Sequence, residues 1–442
     1  MLLFILKMLR AFKTILDIEL FFFANFALKK ITEMKRLLFS LFLGLCIASF
    51  ANAQKEYRQI RASIKSKSNL DNTMKNIQEY EKNDEFKNDP ELYFLGADVQ
   101  QKINDGENEK IYLKQSYDTV KFFTSTYNIF DYLLRCDEKE QIPDDKGKLK
   151  FKYRNKSRII LNRYYPNLRS GGQFFLNKKK YDSAERFFFM YINAAKSGIF
   201  QNDNLLETDS KMPRVAYWAL ISSYMLNHYD SVLINKDLAL KDTAYKTITL
   251  EYIARSYQNL KDSDNYIATL KQGVKEYPSY PFFFTHLIDI YNNKQQYDQA
   301  LNLTNAMLKI DSTSVLFNYA KSLVYLNTLK YDSCIELSLD VLKEDSTYAD
   351  AYYNVGICYC NKAVDMEKKQ KGIDLKSFAE RKVKIQGFYE RARPFMERYR
   401  VLEPDKIARW APVLYRIYLH LNLGKQFDEI DKLLKKGIPQ TG

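Results

Sequence analysis

Apolar residues recur at the i, i+3, i+4 spacing of one helix face in short blocks along most of the chain, and polar steps separate the blocks. The stretch LKYDSCIELSLDVLKEDS (329–346) is typical: a Tyr-Asp pair, a helix-like run, then an acidic stop. KKYDSAERFF (179–188), NHYDSVLINK (227–236) and QQYDQALNLT (295–304) nearly repeat it. The pattern predicts helices near 55–66, 70–82, 90–104, 109–135 and 152–163, then helix pairs from about 166 to 436. SGIFQNDNLLETDSKM (197–212) reads as a polar loop. The segment 361–388 lacks Pro and carries Leu375, Phe378 and Val383 at helical spacing. It predicts an insertion that lengthens both helices of one pair, with Gly372 near the bend.

The blocks keep a period. The phrase tyrosines fall at Tyr181, Tyr229, Tyr297, Tyr331 and Tyr389, with Phe427 last, and Tyr297 to Tyr331 spans 34 residues. Tyr229 to Tyr297 spans twice that, and Ser263-Asp264 stands halfway in place of Tyr-Asp. Aromatic residues recur upstream at Phe175, Tyr224, Tyr257, Tyr291, Tyr325 and Tyr359. Small or apolar ones follow each phrase at Ala184, Val232, Ala300, Cys334, Ala392 and Ile430. Pro278 and Pro404 close two blocks.

These positions resemble the tetratricopeptide repeat, a 34-residue helix–turn–helix unit that cannot bury its apolar face alone and therefore stacks. The resemblance covers about 166–436 and reaches back through PELYFLGADV (90–99). It implies an all-α fold, a right-handed superhelical solenoid of antiparallel helix pairs. Physical reasons fit the residues. Small side chains such as Ala184 and Ala300 let helices approach closely, and the phrase Tyr is large enough to plug the wedge between neighbouring pairs. Asp182, Asp230, Asp298, Asp332 and Asp428 are placed to cap the second helices. Glu185 stands at the capping-box distance from Asp182.

Composition adds support without changing the picture: only 14 Gly and 10 Pro in 442 residues leave little turn punctuation. The beginning of the chain stands outside the fold. MKRLLFSLFLGLCIASFANAQ (34–54) has the basic start, short apolar run and Ala51-Asn52-Ala53 site of a secretory signal, cleaved after Ala53. Residues 1–33 read as sequence upstream of a true start at Met34, or else as an amphipathic helix on a membrane surface. The expected division is therefore 1–33, a signal at 34–53, a helical region with degenerate repeats at 54–165, and the array at 166–442. An exported, periplasmic protein follows, with outer-membrane association as a variant.

The net charge of +14, about +10 after cleavage, serves solubility or else suits acidic polymers, anionic lipid heads or acidic protein surfaces. Lys148, Lys150, Lys152, Arg154, Lys156 and Arg158 interleave with Phe151 and Tyr153 in a basic-aromatic segment, 146–163. Export argues against nucleic acid, so an anionic glycan or lipid surface is the partner that segment suggests. Cys136, Cys334, Cys358 and Cys360 remain after the signal. Cys358 and Cys360 point to different helix faces and have no His nearby, which excludes a metal knuckle. Buried free thiols are expected, with a Cys334–Cys358 bond as the alternative.

Catalytic signatures are missing. His228, His286 and His420 stand apart, RSGGQ (169–173) has no Lys-Ser/Thr after it, and no GxSxG occurs. The sequence therefore predicts no enzyme, cofactor or metal. Gly171 and Gly172 fit the close-packing positions of a first helix instead. The resemblance implies that first helices line a concave groove for a protein or peptide partner. By register the groove residues are Trp218, Ser222, Glu251, Tyr252, Arg255, His286, Asp289, Asn292, Tyr319, Leu323, Tyr353 and Asn354. The Lys/Asn arrangement that clamps a C-terminal carboxylate is absent from this set.

Overall fold

The computed structural model describes residues 54–143, 147–368 and 375–435, with isolated positions 8, 30, 34 and 35. The expected signal segment, nearly all of 1–33, and Gly372 lie outside the described residues. Among the described residues every regular element is helical. Two compact units divide at Ser256 and Tyr257.

In the first unit the helices are α1 (54–66), α2 (Leu70–Tyr80), α3 (Pro90–Tyr112), α4 (Thr119–Glu140), α5 (Arg154–Asn177) and α6 (Tyr181–Lys196). Short pieces follow: α7 (Leu205–Thr208), α8 (Met212–Met225), α9 (Tyr229–Ile234) and α10 (Lys236–Ala239), before α11 (Lys246–Asn259), in which the division falls. The second unit holds α12 (Ser263–Glu276), α13 (Pro281–Asn293), α14 (Tyr297–Ile310), α15 (Val315–Asn327) and α16 (Tyr331–Glu344). It ends with α17 (Ala349–Lys368), α18 (Leu375–Leu402), α19 (Ile407–His420) and α20 (Gly424–Lys435).

Within the second unit each helix packs on the next, and the first helices α13, α15, α17 and α19 also touch in succession. Short connections between touching helices make them antiparallel. Contact with near neighbours alone is the packing of a repeat array, and the helix pairs are of tetratricopeptide type.

Six three-residue bends share one backbone device, and Lys114 ends α3 the same way. Lys179, Asn227, Lys261, Gln295, Leu329 and Asn422 are left-handed, with φ between 54° and 60°. The N–H of each following residue returns to the carbonyl five positions back, as from Lys330 to Tyr325 (2.9 Å) and Gln296 to Tyr291 (2.8 Å). This closure satisfies carbonyls that a helix end leaves orphaned. From Asn227 to Leu329 the left-handed residues recur every 34 positions.

The bend corrects the expected capping. The tyrosine itself opens the second helix, so Asp182, Asp230, Asp298 and Asp332 lie in its first turn and make no cap hydrogen bond. They favour the positive helix end, and Asp332 also accepts from Lys362 Nζ. Asp428 lies inside α20, and Glu185 accepts no cap bond but faces His228 Nδ1 at 3.1 Å. Asp262 does cap its helix, accepting from Asn265 N (3.2 Å) one position before Ser263-Asp264. Tyr331 fills the expected wedge, packed on Cys334, Ile335, Val355 and Cys358. Tyr389 marks no helix start; it is buried inside α18 and stacks on His420.

Other boundaries moved. The helix expected to end near 104 runs through Gly106 to Tyr112, because an exposed glycine weakens a helix without breaking it. The division placed at 165/166 falls inside the continuous α5. The supposed loop 197–212 carries a 3-10 turn, Gly198–Phe200, whose Ile199 and Phe200 are buried, and α7 besides. The expected insertion lengthens both helices of its pair, since 361–368 fall in α17 and 375–388 in α18, which run 20 and 28 residues.

Close approach is achieved with glycine. A Cβ on Gly171 or Gly172 in α5 would run into the Phe187 and Phe188 rings of α6, and one on Gly273 into Phe283. The longer helices of the first unit also seat glycine, with Gly96 of α3 against Tyr132 of α4, and add buried polar groups. Asn104 donates to Phe122 O (2.8 Å), and Glu107 accepts from Asp118 N (2.9 Å). Glu140 accepts from Tyr153 N (2.7 Å) and Arg154 N (3.1 Å), capping α5 from the end of α4. All four described cysteines are buried free thiols. Cys358 faces Cys334 while Cys360 enters the neighbouring core cluster.

Candidate functional site

In the second unit three successive first helices bring Tyr319, Tyr353 and Arg409 to one place. Arg409 donates to Asp350 Oδ1 (2.7 Å), and its guanidinium lies over Tyr353 (4.2 Å) and Tyr399 (5.3 Å). Tyr353 and Tyr399 ring centres are 5.1 Å apart, and Tyr319 meets Tyr348 at 5.0 Å. Such an arginine, held by a carboxylate and two rings, is fixed before anything arrives. Its side chain is 40% exposed. Burial pushes the Tyr399 hydroxyl up to about 12, and that oxygen has no hydrogen-bond partner. It stays protonated at neutral pH, sealed from solvent.

The remaining expected residues of this unit divide. Asn354 is core: it is 1% exposed and donates to Ser322 Oγ (3.1 Å). Leu323 is partly buried. His286 shares a hydrogen bond with Tyr266 OH (2.8 Å) and lies 4.3 Å from the Phe282 ring. Asp289 is exposed, yet desolvation by its surroundings holds its carboxyl above the usual range against the pull of His286. Asn292 is partly buried, with neither amide atom hydrogen-bonded.

In the first unit, Glu251 and Arg255 are bonded to each other (2.7 Å), and Tyr252 packs on Tyr224 at 4.6 Å. Ser222 is buried and donates to Trp218 O (2.8 Å). Trp218 is partly buried against Phe188 (5.6 Å) and lines a cleft of about 380 Å³.

The basic segment is less free than its sequence suggests. Arg154 grips Asp137 through two nitrogens (Nη2–Oδ2 2.8 Å), Arg158 grips Asp203 (Nε–Oδ2 2.9 Å), and Lys152 reaches Glu91 (3.5 Å). Lys156 lies close enough to Asp98 to oppose the rise in its pKa. Lys148 and Lys150 are exposed, and Lys146 lies outside the described residues. The segment ties α4, α5 and the following turn together.

Sequence reasoning missed Arg409, Asp350, Tyr348 and Tyr399 in one unit, and Arg214 and Asp242 in the other. Carrying the Tyr319–Tyr353 register over the insertion lands on the buried Ala411, so register alone does not reach Arg409.

No protein-family model matches the sequence, and no curated protein matches it. Among solved structures, the C-terminal part of a TPR repeat-containing protein from Cytophaga hutchinsonii is 14% identical, with a TM-score of 0.40 over 61% of this chain and 95% of that one. A TPR repeats protein from Bacteroides fragilis is 16% identical, with a TM-score of 0.29 over 61% and 98%. YrrB, described as a TPR protein with an unusual peptide-binding site, is 13% identical, with a TM-score of 0.32 over 47% and 94%. At such scores the repeat assignment rests on this chain's own spacing and packing.

Proposed function

We propose that this chain is a non-catalytic protein-interaction scaffold of the cell envelope, exported and processed after Ala53. It holds an extended partner segment across the first helices of its second unit. The observation that carries the reading is the convergence of Tyr319, Tyr353 and Arg409 from three successive helices around a partly exposed, preorganised guanidinium. Aromatic rings beside an arginine are what protein interfaces use as anchors. YrrB's peptide-binding site agrees in kind. The basic segment 146–163 gives the alternative, an anionic glycan or lipid surface, little support, because its arginines already hold carboxylates.

Crosslinking in intact cells followed by affinity capture tests the reading. The Tyr353→Ala/Arg409→Ala double variant is expected to lose its partner while keeping its helical circular dichroism. Retention of every partner by the folded variant overturns the groove. A mature N-terminus other than Gln54 overturns the processing.

A further inference from the structure

The cleft at Trp218 in the first unit is built differently from the tyrosine cluster. Its wall combines the indole with Arg169 of α5, Lys211 and Arg214 around the start of α8, and Lys241 and Asp242 after α10. Four cations thus face one carboxylate. Asp242 is engaged: Arg214 grips it through Nε and Nη2, and the Arg214 guanidinium lies 4.3 Å over Tyr245, which stacks on Tyr217. Lys241 shares the well-exposed Glu207 (3.0 Å). Arg169 and Lys211 form no ion pair among the described residues. The larger cleft beside α2 and α3, about 620 Å³, lacks this asymmetry, because Asp71, Glu107 and Glu109 nearly balance its four lysines.

We infer that the Trp218 cleft is a second binding site, specific for an acidic peptide segment that carries an apolar residue. The carboxylates meet Arg169 and Lys211, and the apolar side chain lies on the indole. Charge complementarity selects the acid, since unpaired cations within about one Debye length reinforce one another. The indole selects a peptide, because free phosphate or a lipid headgroup leaves an apolar wall uncovered. The volume suits a few side chains. The site is independent of the tyrosine cluster and survives if that reading fails.

Fluorescence of the full chain tests it. Trp410 is buried in the second unit, so the Trp410→Phe variant leaves Trp218 as the reporter. A capped pentapeptide of four glutamates around one leucine is expected to change Trp218 emission saturably. Its affinity should fall at least fivefold between 50 and 300 mM NaCl, by screening. Lys211→Glu, an exposed change, and Arg169→Ala should each weaken it at least fivefold, with unchanged circular dichroism. The four-lysine analogue should leave the emission unchanged. Silence toward the acidic peptide overturns the inference, as does equal binding of the lysine peptide. Saturation by inorganic phosphate or by phosphatidylserine vesicles, with the peptide silent, overturns the ligand class. Lys211→Glu without effect in a folded protein overturns the cleft as the place of binding.

Discussion

The run α12–α16 in the second unit and the run α3–α5 in the first build helix hairpins by different means. The former uses helices of 13 or 14 residues, closes its within-pair bends with backbone hydrogen bonds at a left-handed residue, and seats glycine or alanine against its seams. The latter shares a left-handed closure at Lys114 and a glycine seam at Gly96, but its helices of 22 to 24 residues are joined by longer connections that buried carboxylates must hold: Glu107 at Asp118, Glu140 at Tyr153, Asp137 at Arg154. The difference teaches where stability resides. Short regular bends leave their side chains dispensable, whereas long connections make a few acids indispensable.

The largest expected effect tests that contrast directly. Asp137→Ala should destabilise by about 3 kcal/mol, since its side chain is 4% exposed and its loss strands Arg154. Asp332→Ala, at 84% exposure in the regular array, should change stability by less than about 0.5 kcal/mol. Urea unfolding of both variants measures the gap, and equal losses would erase the comparison.

Next comes one substitution made in two places. Gly273→Ala drives a methyl into Phe283 and should lose about 2 kcal/mol, overpacking outweighing helix propensity. Gly106→Ala meets nothing within 4 Å in the middle of α3 and should gain up to about 1 kcal/mol. Paired thermal melts would show shifts of opposite sign.

Acidity probes the first unit again. Desolvation in α3 raises the Asp98 carboxyl to about 6, against the opposing pull of Lys102 and Lys156. The folded state therefore holds a proton that the unfolded chain releases near 4. Its penalty is full above about 6 and is relieved as pH falls towards 4. Asp98→Asn should be more stable by roughly 1–2 kcal/mol at pH 7, with the advantage fading by pH 4. A constant difference between the two proteins across that range would remove Asp98 as the cause.

The smallest effect belongs to the array. Leu329 is exposed at φ 59°, so Leu329→Gly should relieve strain and gain up to about 1 kcal/mol, measurable as a raised melting temperature.

What the sequence disclosed follows the same contrast. Where the period holds, spacing alone locates both helices of a pair, and the Tyr331 wedge, the Gly171-Gly172 contact and the division of Cys358 from Cys360 were all readable from helix geometry. Capping misled, because Asp after Tyr has the right chemistry one or two positions too late, while the backbone had already closed the bend. In the first unit the controlling contacts join residues such as Asp137 and Arg154 across a connection of no fixed length, which no period reveals. The tyrosine cluster was half legible: Tyr319 and Tyr353 keep register, but Arg409 stands beyond an insertion. Asn354 and Ser222 share that register yet face the core, since position along a helix sets direction only to within a third of a turn.

The left-handed bends carry one more consequence. Lys, Asn, Lys, Gln, Leu and Asn occupy them in turn, so the corner is indifferent to which letter stands there and intolerant only of a change in length. Substitutions can accumulate at these corners over long descent while one inserted or deleted residue would misalign everything stacked beyond it. Ancestry in such a chain is better sought by ruler than by alphabet.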